Sequence, residues 1–430
     1  MKIISKYIII SLFSILISSN VEVHLESIAI SISKNDYIDA YNKFEIAISK
    51  FDASAILYFK GANIALSLDK LDDANKYFNK AIELDLKNKD YRKSQEKLSL
   101  LRNDITNARK TFDSGRIDES IAEYVSLCTK YPENGIVFYN LGKIYKSNGQ
   151  YSNAVAMYKT AEKLNPYESK YKLAVKAIAQ QIAKDGDTEY RRQEFSDAIK
   201  KYKESITFYP EYTVAYFKLS RTFFKIKDYD SAKEYLEKSL LLDPMQEQVE
   251  KMLGDVFLRY GKIDTAIIHY NRAISIDANY TKAYYSLGAS LLKIGDYRGS
   301  ENALISAIAL DSSYAKAYGT LGTLYQSQNK LEAAIVNFNS SIDHDSKAYD
   351  IYYRLSSVYN QLTNYEMAKK SAKICIDLKR NYAPAYFELG VSEKAMGNNV
   401  ASKAAFEKAK KDKNWRKLAQ YEIDMMNKGF

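Results

Sequence analysis

Residues 247–280 read EQVEKMLGDVFLRYGKIDTAIIHYNRAISIDANY, and this stretch decides the fold. Ala266, Tyr270 and Ala273 are separated by four and then three residues, a spacing that places them on one face of a helix. Gly261-Lys262 is typical of a turn, and Leu253-Gly254 precedes it on a second apolar segment. The stretch therefore predicts two antiparallel helices joined by a short turn.

The same pattern returns along the chain, and it can be indexed by the position of Gly254, which holds a small residue in all repeats but the first. That position falls at Ile28, Ala62, Ala108, Gly142, Gly186, Ser220, Gly254, Gly288, Gly322, Ser356 and Gly390. Successive positions are 34 residues apart, except for steps of 46 before Ala108 and 44 before Gly186. Sixteen residues after each position stands a large residue, with Ala372 as the exception: Phe44, Phe78, Tyr124, Tyr158, Tyr202, Leu236, Tyr270, Leu304, Phe338 and Phe406.

This regular spacing predicts an all-α chain built from stacked helical hairpins. A small residue lets two helices approach closely, and the large residue of the second helix fills the space between them. Each hairpin leaves an apolar side that only the next hairpin can cover. Scarce helix breakers, 5 Pro and 16 Gly in 430 residues, favour the same interpretation.

The pattern resembles the tetratricopeptide repeat. One unit carries the matching residues Tyr284, Leu287-Gly288, Leu291, Ala307 and Asp311, and tyrosines stand where that family usually has Trp. The resemblance covers nearly all of the chain after Asn20 in about eleven units. It implies a right-handed superhelical solenoid of antiparallel helix pairs whose concave face binds a protein partner.

The two long steps suggest where the array is divided. Residues 86–104 and 167–185 lack Pro and Gly, so each predicts a lengthened helix. We expect four N-terminal repeats in residues 20–168, a helical joint at 169–178 and seven repeats in 179–414. Residues 415–430 are expected to form a capping helix with Trp415, Leu418, Met425 and Met426 on one side.

Residues 1–19 have the character of an export signal. Lys2 and Lys6 precede an apolar run from Tyr7 to Ile17, and small or polar residues follow at Ser18-Ser19-Asn20. The run is short for a transmembrane helix, which needs about 20 residues. A cleaved signal is the interpretation that we favour, with export to the periplasm or secretory space. The alternatives are an uncleaved membrane anchor and a buried first helix.

Residue types that carry chemistry are sparse, and this argues against an enzyme. The histidines His24, His269 and His344 lie in different repeats, and Cys128 and Cys375 are far apart, each expected to face the core of its own repeat. No His or Cys pair has zinc-site spacing and no phosphate-binding loop is present, so we expect neither metal nor cofactor. The net charge of +10 is spread along the chain, and we expect no nucleic-acid binding.

The resemblance places the binding surface on the first helix of each repeat. It implies that the contact residues lie three before, one after, and four to five after the Gly254 position. Four of them form a basic series at one position, Arg191, Lys225, Arg259 and Lys293. The candidate peptide-binding residues are Arg191, Phe217, Arg221, Phe224, Lys225, Lys251, Asp255, Arg259, Tyr285, Lys293, Tyr353, Asn360 and Phe387.

Alternating aromatic and cationic groups suit an extended or acidic peptide, so the function we expect is a non-catalytic scaffold for a protein partner. The same residues could instead be packing groups and a solvated edge. Two other functions remain open, a membrane-anchored intracellular adaptor and the substrate-docking subunit of an enzyme complex. The sequence does not specify the oligomeric state.

Cleavage of the signal gives a direct prediction. N-terminal sequencing of the protein purified from its source should begin at Asn20, because Ser19 and Ile17 occupy the −1 and −3 positions of the expected cleavage site. A chain that retains Met1 would contradict export by this route and would support the anchored alternative.

Overall fold

The computed structural model describes residues 21–428, and within that range every regular element is a helix. The predicted signal at residues 1–19 lies outside the described residues. The chain divides into two compact units, Met1–Lys218 and Leu219–Phe430. No helix in the described range is long and apolar enough to cross a membrane.

The helices of the first unit begin with a helix whose described part is residues 21–33, named α1. The others are α2 Tyr37–Ile48, α3 Ala55–Ser67, α4 Leu71–Leu84, α5 Lys89–Asp113, α6 Ile117–Lys130, α7 Gly135–Ser147, α8 Tyr151–Leu164, α9 Ser169–Arg191 and α10 Phe195–Phe208. Helix α11, Thr213–Lys225, runs across the division between the units.

The second unit continues with helix pairs of nearly constant length. They are α12 Tyr229–Leu242, α13 Glu247–Arg259, α14 Ile263–Ile276, α15 Thr281–Ile294, α16 Tyr297–Leu310, α17 Ala315–Ser327, α18 Leu331–His344, α19 Tyr349–Gln361, α20 Tyr365–Leu378, α21 Ala383–Ala395, α22 Asn399–Ala409 and α23 Arg416–Asn427. Each helix packs on the next, and α15 also contacts α17, α17 contacts α19, and α19 contacts α21.

The structure contains the predicted contact between the small residue of the first helix and the large residue of the second. A Cβ atom built on Gly254 would lie 2.4 Å from Cε1 of Tyr270, closer than real carbon atoms approach. A Cβ atom built on Gly322 would likewise lie 2.6 Å from Cδ1 of Phe338. The large residues at this position, from Phe44 to Phe406, are at most 2% exposed. The sequence pattern is therefore confirmed as the packing rule of the fold.

Serine at a small position adds a hydrogen bond to this contact. The Ser300 hydroxyl donates to the Gly288 carbonyl at 2.8 Å, and Ser402 donates to the Gly390 carbonyl at the same distance. In the repeat of Ser356, the direction reverses, and that hydroxyl donates to the Ala368 carbonyl at 2.8 Å. A buried hydroxyl needs such a partner, so serine is tolerated here as a small residue that also joins two helices.

The turn inside each hairpin requires a left-handed residue, seven positions after the small residue. Glycine fills it at Gly115, Gly149, Gly261, Gly295 and Gly397, with φ between +73° and +84°. The other six repeats use Asn35, Asp69, Gln193, Lys227, Asn329 and Thr363, with φ between +57° and +68°. The polar and glycine turns predicted from sequence are confirmed, and the strain at a β-branched threonine is the largest of these choices.

The two intervals longer than 34 residues, before Ala108 and before Gly186, are accommodated by the two longest helices. Helix α5 has 25 residues and α9 has 23. Their extra N-terminal turns carry buried residues of their own, including Tyr91 and Leu98 in α5 and Tyr171 and Val175 in α9. The added turns therefore extend the core of the first unit.

A contact in the first unit joins parts of the chain that the repeat pattern does not relate. Asp69, in the turn between α3 and α4, is 7% exposed. Its carboxylate accepts hydrogen bonds from Nδ2 of Asn165 at 2.9 Å and from the Tyr171 hydroxyl at 2.7 Å. Burial raises the pKa of Asp69, and the two hydrogen bonds oppose that rise. The turn of the second repeat is thus fastened to the start of α9.

The C-terminal helix has a different buried side from the one expected. Ala419 and Ile423 are buried against Phe406 and Ala409, and Met426 is partly buried there. Leu418 is 47% exposed and lies on the solvent side, so its assignment to the covered face was wrong. The reason is that the helix begins only at Arg416, and four-residue spacing from Trp415 leads to Ala419 and Ile423.

The strained turn at Thr363 gives a stability prediction. Thr363→Gly should stabilise the protein by about 1 kcal/mol, because glycine adopts a positive φ without steric cost. The melting temperature followed by circular dichroism should rise. The reverse change at the equivalent position, Gly295→Thr, should lower it, and a rise in both variants would contradict this account of the turn.

Candidate functional site

The face predicted to bind a partner contains side chains in two different situations. Some are bonded to their own chain and others are exposed without an ionic partner. The distinction matters because a side chain that is already paired must give up a contact before it can hold a ligand.

Lys251 and Asp255 belong to the first group. Lys251 Nζ lies 2.7 Å from Oδ2 of Asp255, and the Tyr270 hydroxyl donates to Oδ1 of the same carboxylate at 2.9 Å. Burial, and then the charge of Asp255, raise the pKa of Tyr270, so its hydroxyl stays protonated as a donor. These side chains form a closed network within one hairpin.

Asn360 is also bonded internally. Its Nδ2 donates to the Glu388 carbonyl at 3.0 Å and to the Glu388 side chain at 2.8 Å. The Asn360 Oδ1 atom is buried and has no partner among the described residues. Burial raises the pKa of Glu388. Sequence reasoning missed Glu388, although a glutamate two residues before the small position of a packed helix was a usable signal.

The aromatic candidates are half-buried and touch neighbouring rings. The Tyr285 ring centroid lies 5.4 Å from that of Tyr314, and the Tyr353 centroid lies 5.7 Å from that of Tyr382. Phe387 packs between Phe406 and Trp415, with centroid distances of 5.3 and 5.1 Å. Phe387 therefore contributes to the C-terminal core, whereas each tyrosine keeps part of its ring accessible.

The exposed group consists of cations at one position of successive repeats. Lys225, Arg259 and Lys293 are exposed, and none forms an ion pair with any residue in 21–428. The Arg259 guanidinium lies 5.8 Å from the centroid of Phe224, within cation–π range. The structure thus brings a basic and an aromatic candidate together.

Three candidates remain, Arg191, Arg221 and Phe217. Arg191 is exposed, belongs to the first unit, and donates to the Thr188 hydroxyl at 3.3 Å. Arg221 is exposed and Phe217 half-buried, both on α11. Whether any of these side chains contacts a partner stays a prediction.

Groups suited to metal or thiol chemistry are not assembled in the described range. Residues 21–428 contain no cluster of three His, Cys, Asp or Glu side chains placed to hold a metal ion. Cys375 is buried and Cys128 half-buried, and both are free thiols. Burial raises the pKa of Cys128 to about 11 and that of Cys375 to about 12. Both thiols are therefore protonated near neutral pH and poorly nucleophilic.

Two family models match the sequence. One, described as "TPR repeat", covers residues 254–295. The other, described as "Tetratricopeptide repeat", covers residues 55–88, 137–168, 214–244, 315–347 and 349–382. No curated protein matches the sequence.

Solved structures with a similar chain include MamA, with 25% identity, 38% of this chain and 95% of MamA covered, and a TM-score of 0.35. PilF of Pseudomonas aeruginosa has 17% identity over 49% of this chain and 97% of its own, with a TM-score of 0.45. A chain of the Cut9–Hcn1 hetero-tetramer of the APC/C has 12% identity over 96% of this chain and 97% of its own, with a TM-score of 0.47.

The two groups of candidate side chains should respond differently to truncation. Asp255→Ala leaves the buried Tyr270 hydroxyl without its acceptor, and should destabilise the fold by about 2 kcal/mol. Arg259→Ala removes an exposed group and should leave the guanidinium chloride midpoint unchanged. Equal losses in both variants would show that Arg259 is as much a packing residue as Asp255.

Proposed function

The chain is a tetratricopeptide-repeat protein with an all-α repeat-solenoid fold, and we propose that it is a non-catalytic scaffold that holds a protein partner through an acidic segment. Stacked repeats of this kind create extended surfaces on which other proteins bind. The proposal concerns the second unit, where the basic candidates Lys225, Arg259 and Lys293 lie.

The observation that carries the proposal is that these three cations form no ion pair. Each is exposed and has no carboxylate partner among the described residues, while Lys251 on the same face already pairs with Asp255. A partner carboxylate could therefore pair with Lys225, Arg259 or Lys293 without breaking an ion pair within the chain. One exposed ion pair contributes only about 0.2–1 kcal/mol, so the repetition over three repeats is what gives useful affinity.

The accessible aromatic rings favour the same function. Phe224, Tyr285 and Tyr353 are half-buried, each held by a neighbouring ring or cation. A ring that is already fixed offers apolar contact area at little entropic cost, which is why aromatic and arginine side chains dominate protein interfaces. An extended partner segment with acidic and apolar residues matches this surface.

We also propose that the scaffold works outside the cytosol, in the periplasm or secretory space. The support is the basic and apolar character of residues 1–19. If that segment is retained, the same binding face would belong to a membrane-anchored adaptor.

Charge reversal tests the binding face. A photo-crosslinking amino acid in place of Tyr285 should capture the partner in source cells, and mass spectrometry should find an acidic segment at the crosslink. The variant Lys225→Glu, Arg259→Glu, Lys293→Glu should reduce capture about tenfold, because three weak ion pairs are replaced by repulsion.

The matched control reverses three exposed cations on the second helices of the same unit. Arg272, Arg298 and Lys370 lie on α14, α16 and α20 and form no ion pair within residues 21–428. Their replacement by Glu changes the net charge equally and should leave capture intact. Equal capture by both variants, or a captured segment without acidic residues, would show that Lys225, Arg259 and Lys293 do not bind the partner.

A further inference from the structure

Five junctions between repeats carry an aspartate at one position, 23 residues after the position of the small residue. These aspartates are Asp85, Asp243, Asp277, Asp311 and Asp345. Each directly follows the second helix of its repeat, and its side chain accepts a hydrogen bond from the backbone N–H two residues later, at 2.9 to 3.2 Å. The aspartate therefore closes the turn that leads into the next repeat.

The last two repeats have lysine at this position. Lys379 has nearly the same backbone angles as the aspartates, but its side chain cannot accept the hydrogen bond, and its ammonium group donates to the Tyr349 hydroxyl at 2.8 Å. In the final repeat Asp412 closes the turn one residue earlier, by accepting from the Asn414 N–H at 2.8 Å, and Lys413 is exposed. The geometry of these turns permits the reversal of charge but does not require it.

The two lysines belong to one basic surface at the C-terminal end of the second unit. The Tyr386 hydroxyl donates to the Arg380 carbonyl at 2.9 Å, and Lys408 Nζ lies 5.4 Å from the ring centroid of Tyr386. These contacts place the junction after α20 beside the end of α22. We name this region the C-terminal basic surface, and its cations are Lys379, Arg380, Lys408, Lys410, Lys411, Lys413, Arg416 and Lys417.

Carboxylates within the surface do not offset this charge. Lys410 pairs with Glu407 at 3.1 Å, and Asp412 already accepts the hydrogen bond of the turn. Four exposed cations form no ion pair with any residue that the structure describes: Lys411, Lys413, Arg416 and Lys417. An open cavity of about 430 Å³ is lined by Lys410, Arg416, Lys417, Gln420, Tyr421 and Asp424. The surface is therefore suited to an anionic partner.

Apolar side chains lie exposed beside these cations on α23. Leu418 is 47% exposed and Tyr421 is 57% exposed, and their spacing of three residues places them on one face of the helix, next to Lys417. The other side of the helix, with Ala419 and Ile423, is buried in the core. Cations interleaved with exposed apolar residues are typical of helices that lie on an anionic bilayer, whereas a nucleic-acid backbone is bound by the cations alone.

We propose that the C-terminal basic surface docks on an anionic phospholipid bilayer. The lysine and arginine side chains pair with lipid phosphates, and Leu418 and Tyr421 enter the headgroup layer. Tyrosine is favoured at this depth because its ring is apolar and its hydroxyl stays hydrated. The surface is built from a repeat junction and the terminal helices, so it is separate from the basic series on the first helices of earlier repeats.

Trp415 provides a local measurement of docking, because it is the single tryptophan of the chain and lies between α22 and α23. The full chain is titrated with vesicles of phosphatidylcholine and phosphatidylglycerol at a ratio of about three to one, with part of the phosphatidylcholine brominated on its acyl chains. Bromine quenches a nearby tryptophan, so these vesicles should quench Trp415, and brominated vesicles of phosphatidylcholine alone should not. An N-terminal segment inserted in the bilayer would not by itself produce this difference.

The charges are tested by the triple variant Lys413→Glu, Arg416→Glu, Lys417→Glu. The lipid concentration at half-maximal quenching should rise at least about tenfold, because three attractions to lipid phosphates become repulsions. The matched control is the variant with Glu at Arg272, Arg298 and Lys370, which has the same net charge and should dock like the parental chain.

The apolar contact is tested by the double variant Leu418→Ser, Tyr421→Ser, which leaves every charge in place. It should raise the same lipid concentration about tenfold, because the two side chains no longer bury apolar area in the headgroup layer. Both residues are exposed, so this variant is expected to fold even if the charge variant does not, and circular dichroism checks the helical content of each.

Three results would overturn the proposal. They are equal quenching by vesicles without phosphatidylglycerol, parental docking of both the charge variant and the apolar variant, and docking that is lost with Glu at Lys225, Arg259 and Lys293. The last result would assign the vesicle contact to the partner-binding face. A fluorescein-labelled single-stranded oligonucleotide is titrated in parallel, and tight binding of it without quenching by anionic vesicles would identify nucleic acid as the ligand instead.

Discussion

The close contact between a small residue on one helix and a large residue on the next is the constraint on which the rest of the structure depends. At Gly254 and Tyr270 the two helices approach so closely that not even a methyl group would fit. Fixing this contact fixes the distance between the helices of each hairpin, and the next hairpin must then cover the apolar side that is left. The left-handed turn follows from the same constraint, since only a tight reversal returns the chain at that distance.

Most repeats obey this packing rule, so the residues beside the packed positions can vary. Some of these neighbouring residues are bonded within the repeat, and others are exposed. One residue after the small position, Asp187 and Asp255 each accept a bond from a buried tyrosine. In a third repeat the same position is occupied by Lys143, which cannot accept a hydrogen bond from Tyr158. Both residues line a cavity. The same position therefore holds a hydrogen-bond acceptor for the buried tyrosine in two repeats and a lysine in a third.

Two cations on the same helix can also have different partners, although the sequence makes them look equivalent. Lys251 and Arg259 lie on one helix, yet Lys251 is held by Asp255 and Arg259 lies over the ring of Phe224. Both cations are four residues from Asp255, so the helix spacing alone does not choose between them, and only the structure shows that the carboxylate pairs with Lys251. Candidate binding residues and internally bonded residues are thus interleaved along helix α13.

The sequence by itself determined the helical hairpins, their packed residues and the turns between them. These features depend on contacts between residues a few positions apart or one hairpin apart, which a 34-residue period makes visible. Only the tertiary structure decided which side chains are already paired. The Asp69 contact with Asn165 and Tyr171 joins residues about a hundred positions apart. This contact has no periodic signal, because it depends on where the lengthened helix α9 begins relative to the turn of the second repeat.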